Sequence, residues 1–304
     1  MFSSGSFVKG GSVISPEVIL QVLASGIVLG GIYAIASLGL GLSWGILHVI
    51  NFAHGEWILI SMYASYWLVI LLGVDPLMLI PINILLGALV GVLTQRFLVE
   101  TTRKGGALAS ILSTFGLSLT IIGSSQLLWK SYARTMPNRY INMVVKMGVV
   151  RVSGAHFVSF LISIGVITAI YIFFKRTLVG KAILASSEIF GDPEVALLMG
   201  VDVRRIRLIT MALAGISTGV AGNLIATFYY IHPYIGTLWC ILAFVVVVLA
   251  GLGSLKGIII AGILVGILES VGSLLIGTAY SYILVFLAFI LTLYIRPRGL
   301  MGRR

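Results

Sequence analysis

Residues 175–205 read KRTLVGKAILASSEIFGDPEVALLMGVDVRR, a charged interlude between two apolar runs, 156–174 and 208–230. Each run is near the ~20 residues that cross a hydrocarbon core. Near the end of the interlude, Asp192-Pro193-Glu194-Val195-Ala196-Leu197-Leu198-Met199-Gly200 specifies a short helix at both ends. Asp192 can accept from the first free N–H groups, Pro193 suits the first helical position, and Glu194 faces the positive end of the helix dipole. Gly200 can take the left-handed conformation that stops a helix, and Asp202 offers a second cap before the chain turns apolar at Leu208. A short, delimited helix between two spans reads either as a docking element for something outside the membrane or as a plain amphipathic turn.

Outward from this stretch the chain is oily. Of 304 residues, 59% are hydrophobic and 10% charged, more apolar surface than a soluble domain can bury. The sequence predicts an all-α polytopic membrane protein with about nine spans (eight to ten). They are expected over 18–47, 57–73, 77–99, 107–128, 156–174, 208–230, 237–253, 257–277 and 280–295. All belong to one transmembrane domain, 1–304. The run 18–47 exceeds one straight span, so a bend or break is expected near Gly39, Gly41 and Gly45. Residues 1–17 read as carrying no cleaved leader. The single cysteine, Cys240, excludes a disulfide framework.

The net charge of +11 speaks for topology and not for nucleic acid, because the basic residues flank the spans. Placing 96–106, 175–207, 254–257 and the C-terminus in the cytoplasm puts fourteen of the 20 Lys and Arg inside. Lys9 and the five cations of 129–155 then lie outside, and the expectation is N-terminus out, C-terminus in, with 129–155 an extracytoplasmic loop.

A faint internal repeat suggests two inverted halves of four spans with one linking span. Asn51-Phe52-Ala53-His54-Gly55-Glu56 resembles His232-Pro233-Tyr234-Ile235-Gly236, and Gly87/Gly91 matches Gly262/Gly266. Glycines four apart also recur at Gly26/Gly30, Gly41/Gly45 and Gly215/Gly219, the spacing that lets membrane helices approach closely.

Polar groups at membrane depth are costly unless paired, capped or wet. Asn51, His54 and Glu56 form the densest such cluster, either a broken-helix gate or a helix cap. Glu269 lies well inside a late span, as a functional carboxylate or as a bond to a neighbouring helix; His232 and Tyr234 mark a turn broken by Pro233. His54 and Glu56 do not share a helix face, so metal binding is not expected. With no phosphate-binding loop, no metalloprotease motif and no nucleophile elbow, the chain is expected to hydrolyse no ATP, to carry no catalytic residue and to need no cofactor.

These strings carry a resemblance. Gly31-Ile32-Tyr33-Ala34 with Gly39, Ile50-Asn51-Phe52-Ala53-His54-Gly55-Glu56, the Gly180–Gly200 loop, Pro233-Tyr234-Ile235-Gly236, and Gly251-x-Gly253-Ser254 followed by Gly257, Gly262, Gly266 and Glu269 together resemble one family. It is the smaller of the two homologous permeases of prokaryotic branched-chain amino acid importers powered by ATP-binding cassettes. The resemblance implies an inner-membrane complex with a second homologous permease, two cytoplasmic ATP-binding subunits and an extracytoplasmic substrate-binding protein. It implies that Asp192, Pro193, Glu194, Ala196, Leu197 and Gly200 form a coupling helix within a cytoplasmic loop, 175–207. Asn51, His54, Glu56, His232, Tyr234 and Glu269, read from their chemistry at membrane depth, are the candidates for the path or its gate. Residues 129–155 show no family pattern, and His232 stands where Asn is common. A urea or short-amide importer, and a stand-alone ion-coupled transporter using Glu56 or Glu269, are the alternative readings.

Overall fold

The computed structural model describes residues 15–187 and 191–302. Residues 1–14 with Lys9, residues 188–190 of the loop, and Arg303 and Arg304 lie outside the described residues.

Among the described residues nine apolar helices form the bundle: α1 (Pro16–Leu47), α2 (His54–Leu72), α3 (Ile80–Thr94), α4 (Gly106–Trp129), α5 (Gly154–Arg176), α8 (Val203–Ala226), α9 (Ile235–Ala250), α10 (Leu255–Ile276) and α11 (Tyr282–Ile295). Two short helices, α6 (Leu178–Ala185) and α7 (Pro193–Leu198), fill the polar interlude. Helical turns before and after α3 extend that span to Pro76–Thr102, and one turn before α11 extends it to Thr278–Ile295. Eight of these are long and apolar enough to cross a membrane, whereas α9 has only 16 residues.

The helix stops are written in the sequence. Gly73 takes a left-handed φ of 63°, and the Asp75 carboxylate accepts from Leu77 N at 2.9 Å to restart the chain. Thr177 caps α6 through Gly180 N at 2.9 Å, and Ser254 caps α10 through Gly257 N at 3.0 Å. The C-terminal tail folds back on the end of α9, where Leu300 N and Met301 N donate to the last carbonyls, Leu249 O and Ala250 O.

One expectation needs correction. The first run does not break: α1 is one helix of 32 residues that ends at His48 in a left-handed conformation. Its late glycines make close contacts, Gly39 against the Ala214 carbonyl oxygen, Gly41 against Ile258 and Gly45 against Gly253. The fold is helical as expected, with one small hairpin inside the 129–155 loop. Residues Val144–Met147 (β1) and Val150–Ser153 (β2) pair antiparallel across a two-residue turn at Gly148. The alternation from Val144 to Val152 carries that signal.

The helices pack as two interlocked fours, with α5 set against α1 and α8 at the side. α1 lies along α10, with Gly26 and Gly30 against the backbone of Ile267 and Ile263; α8 lies along α3, with Gly215 and Gly219 against Gly87 and Asn83. The first helix of each four thus packs on the third helix of the other, an arrangement consistent with inverted repeats. α2 and α9, the second helices, run oppositely. α2 ends beside Asp75, where Tyr140 donates to the carboxylate at 2.8 Å, so this is the hairpin end. α9 ends under the C-terminal tail, at the end that carries α7.

Candidate functional site

Both second helices begin inside the bundle. After α1, residues 48–53 turn back along it, and His54 Nε2 reaches the Ala36 carbonyl oxygen at 2.7 Å. Ala36 is about three turns (~16 Å) before the end of α1, so α2 starts near half depth. On the other side, residues 227–234 return inward from the hairpin end, held by reciprocal backbone bonds between Arg134 and Ile231 at 2.9 and 2.7 Å. The starts of α2 and α9 then cross backbone to backbone at Gly55 and Gly236.

The crossing gathers the polar cluster. Asn51 Oδ1 accepts from Ala53 N at 3.0 Å, so it closes a turn two residues ahead of α2 and does not cap the helix directly. Thr114 on α4 steadies the same turn, its hydroxyl accepting from Phe52 N at 3.2 Å. Cys240 Sγ donates to Phe52 O at 3.5 Å. Glu56, in the first turn of α2, receives a long bond of 3.5 Å from the Thr237 hydroxyl in the first turn of α9, with Ser118 of α4 beside it. The carboxyl therefore stands at two helix N-termini, whose partial positive charges favour an anion. Asn51, His54 and Glu56 are all buried, yet Asn51 Nδ2, His54 Nδ1 and Glu56 Oε2 have no partner. Such atoms are expensive to leave unsatisfied.

The structure leaves one face of α9 open beside this cluster. Tyr234, Thr237 and Ile241 are exposed and Phe244 and Val248 partly so, at the three- and four-residue steps of a single helix face. Phe52 stands against Phe115 and Phe244, with ring centres 6.3 and 5.4 Å away. Tyr234 and His232 lie at the hairpin end of this face: Tyr234 accepts from Gln126 at 2.7 Å, and the two rings stand 5.6 Å apart.

Glu269 is not brought to this cluster. It lies behind α9, where the Tyr33 hydroxyl of α1 donates to its carboxyl and Tyr282 lies alongside. Tyr33 also meets Trp239 of α9 at 5.6 Å between ring centres, so the carboxyl joins α1, α10 and α11 around the back of α9. A second interhelical group escaped the sequence reading. Asn83, Ser65 and Asn223 are fully buried and bonded across α3, α2 and α8, with Asn83 Nδ2 to Ser65 Oγ at 2.9 Å and Ser65 Oγ to Asn223 Oδ1 at 2.7 Å. Their signal was plain: amides inside apolar runs.

At the other site, α7 has the expected ends. Asp192 Oδ1 accepts from Glu194 N at 2.8 Å and Val195 N at 3.4 Å, and Gly200 takes a φ of 81°. Val201 N and Gly200 N close the last turn on Ala196 O and Leu197 O, both at 3.0 Å. Ala196 is buried, whereas Leu197, Leu198 and Met199 are 63%, 86% and 80% exposed. Asp202 then caps α8 through Arg205 N at 3.1 Å, so α7 leads into α8 within four residues. One turn into α8, Arg207 pairs with Glu100 at 3.2 Å, and Gln95 bonds the same carboxylate at 3.3 Å, tying the base of α8 to the far end of the α3 span.

Comparisons with known proteins place the sequence in a family. Residues 22–293 match the family model described as branched-chain amino acid transport system / permease component. A high-affinity branched-chain amino acid transport system permease protein, BraD of Pseudomonas aeruginosa, is 30% identical over 93% of this chain and 96% of its own length. The corresponding LivH protein of Escherichia coli (strain K12) is 29% identical over the same shares. A probable LivH of Methanocaldococcus jannaschii is 27% identical over 93% of this chain and 92% of its own. No solved structure matches. The chain therefore belongs to the family of branched-chain amino acid transport system permease components.

Proposed function

We propose that this chain is the transmembrane permease of an ATP-driven importer for branched-chain amino acids, with the energy supplied by partner subunits at the α7 end. The observation that carries the reading is α7 itself: a helix specified at both ends, presenting Leu197, Leu198 and Met199 to solvent and joined directly to α8. An exposed apolar knob on a rigid helix fits a groove on another protein. In this reading Asp192, Pro193, Glu194, Ala196, Leu197 and Gly200 shape the knob, and closure of two ATP-binding subunits pushes it as a lever. The Arg207–Glu100 pair then carries the movement of α8 to α3.

The open face of α9 is proposed as one wall of the path, completed by a second homologous permease, with an extracytoplasmic binding protein delivering the solute. Ile241 and Phe244 suit a branched side chain, and Asn51, His54 and Glu56 supply polar atoms for its ammonium and carboxylate. His232 and Tyr234 stand at the mouth, and Glu269 locks α1 to α10 behind the path. The basic residues orient the chain with α7 and the C-terminus in the cytoplasm.

The test is reconstitution with the ATP-binding subunits, the second permease and the binding protein. Leu198→Asp and Glu194→Lys should leave the complex inserted and remove substrate-stimulated ATP hydrolysis. Stimulation equal to wild type would refute the coupling role, and uptake by the chain alone under an ion gradient would replace this reading with a secondary transporter.

A further inference from the structure

At the α7 end, away from the α9 face, a cavity of about 300 Å³ opens between the last turns of α5, α6, the α9–α10 turn and the C-terminal tail. Its walls are apolar, formed by Ile46, Phe174, Leu184 and Leu255, and two cations line it, Lys175 and Lys256. Across Leu252 a second cavity of about 390 Å³, lined by Trp44, Val248, Pro297 and Arg298, lies at the end of the α9 face and belongs to that face. No acidic residue lines either cavity. Among the described residues none of the three cations has an acidic partner; Lys175 rests over the Tyr171 ring, 5.5 Å from its centre. α10 also begins at this rim, adding the positive end of its dipole.

We propose that the first cavity holds an anionic phospholipid of the cytoplasmic leaflet, its phosphate met by Lys175 and Lys256 and its acyl chains by the apolar walls. Charge and lining together select this occupant. A free phosphate has no use for the apolar walls, and a zwitterionic lipid brings its own cation to a site already rich in them. Basic pockets between membrane helices on the cytoplasmic side bind anionic head groups by this combination. The walls belong to α5 and α6 on one side and to the α9–α10 turn on the other, so the lipid braces the approach to α7 against the short helix α9.

The test uses the full-length chain in detergent, with native mass spectrometry after adding phosphatidylglycerol or phosphatidylcholine, and without ATP-binding subunits. Wild type should retain phosphatidylglycerol and not phosphatidylcholine. The double variant Lys175→Gln/Lys256→Gln should retain about tenfold less, and Lys175→Arg/Lys256→Arg should restore retention. Equal retention of both lipids, undiminished binding by the double Gln variant, or displacement by excess inorganic phosphate would overturn the proposal. If the double Gln variant does not fold, the wild-type comparison of the two lipids and the phosphate competition decide it.

Discussion

Gly55 and Gly236 touch through their backbones: a Cβ on Gly55 would stand 1.8 Å from the Gly236 carbonyl oxygen. No side chain fits that space, and the obstacle is backbone on a second helix. Gly55→Ala should therefore force the starts of α2 and α9 apart and destabilise the protein by about 3 kcal/mol. Gly165, with nothing within 4 Å of a Cβ, is the control, and Gly165→Ala should be neutral. Thermal unfolding of the two variants in detergent checks this; equal midpoints would mean that the crossing is looser than described.

Glu56 is buried at the crossing, with the Thr237 hydroxyl 3.5 Å from its carboxyl and Ser118 beside it. If it faces the path, Glu56→Gln keeps its size and leaves assembly intact but lowers uptake roughly tenfold, the scale of a lost charged hydrogen bond. Uptake by reconstituted complex measures the effect. Normal uptake with lowered stability would return Glu56 to a capping role.

Tyr33 and Glu269 make the complementary case. Tyr33→Phe removes a donor from a half-buried carboxyl and should cost about 1–3 kcal/mol of stability. Because Glu269 lies behind α9, the loss should appear in the unfolding midpoint with the apparent affinity for solute unchanged. A changed affinity at unchanged stability would put Glu269 on the path itself.

Much of this was legible beforehand, and the remainder has physical reasons. Every apolar run became a helix, because backbone in hydrocarbon must satisfy its own bonds. Both ends of α7 followed from Asp192, Pro193 and Gly200, whose chemistry is local. The glycine pairs Gly26/Gly30, Gly87/Gly91, Gly215/Gly219 and Gly262/Gly266 marked positions of close helix approach, but which helices they join was not legible. What composition hides is depth. Nothing in His54 alone says that it bonds Ala36, three turns up a neighbouring helix, so the start of α2 inside the bundle was not foreseen. Length likewise misjudged α1, which is unbroken and whose late glycines contact α8, the α9–α10 turn and α10. The partnerships of Tyr33 with Glu269, and of Ser65 with Asn83 and Asn223, join residues far apart in the chain and were invisible to local reasoning.

The account rests on α7 facing the compartment where ATP is hydrolysed. Cys240 is the only cysteine and is buried, so Glu194→Cys in a Cys240→Ala background gives one reporter on α7. A membrane-impermeant maleimide should label it in inside-out vesicles and leave it unlabelled in intact cells. Labelling from the outside of intact cells would place the knob beyond the reach of any nucleotide-driven partner and contradict the account.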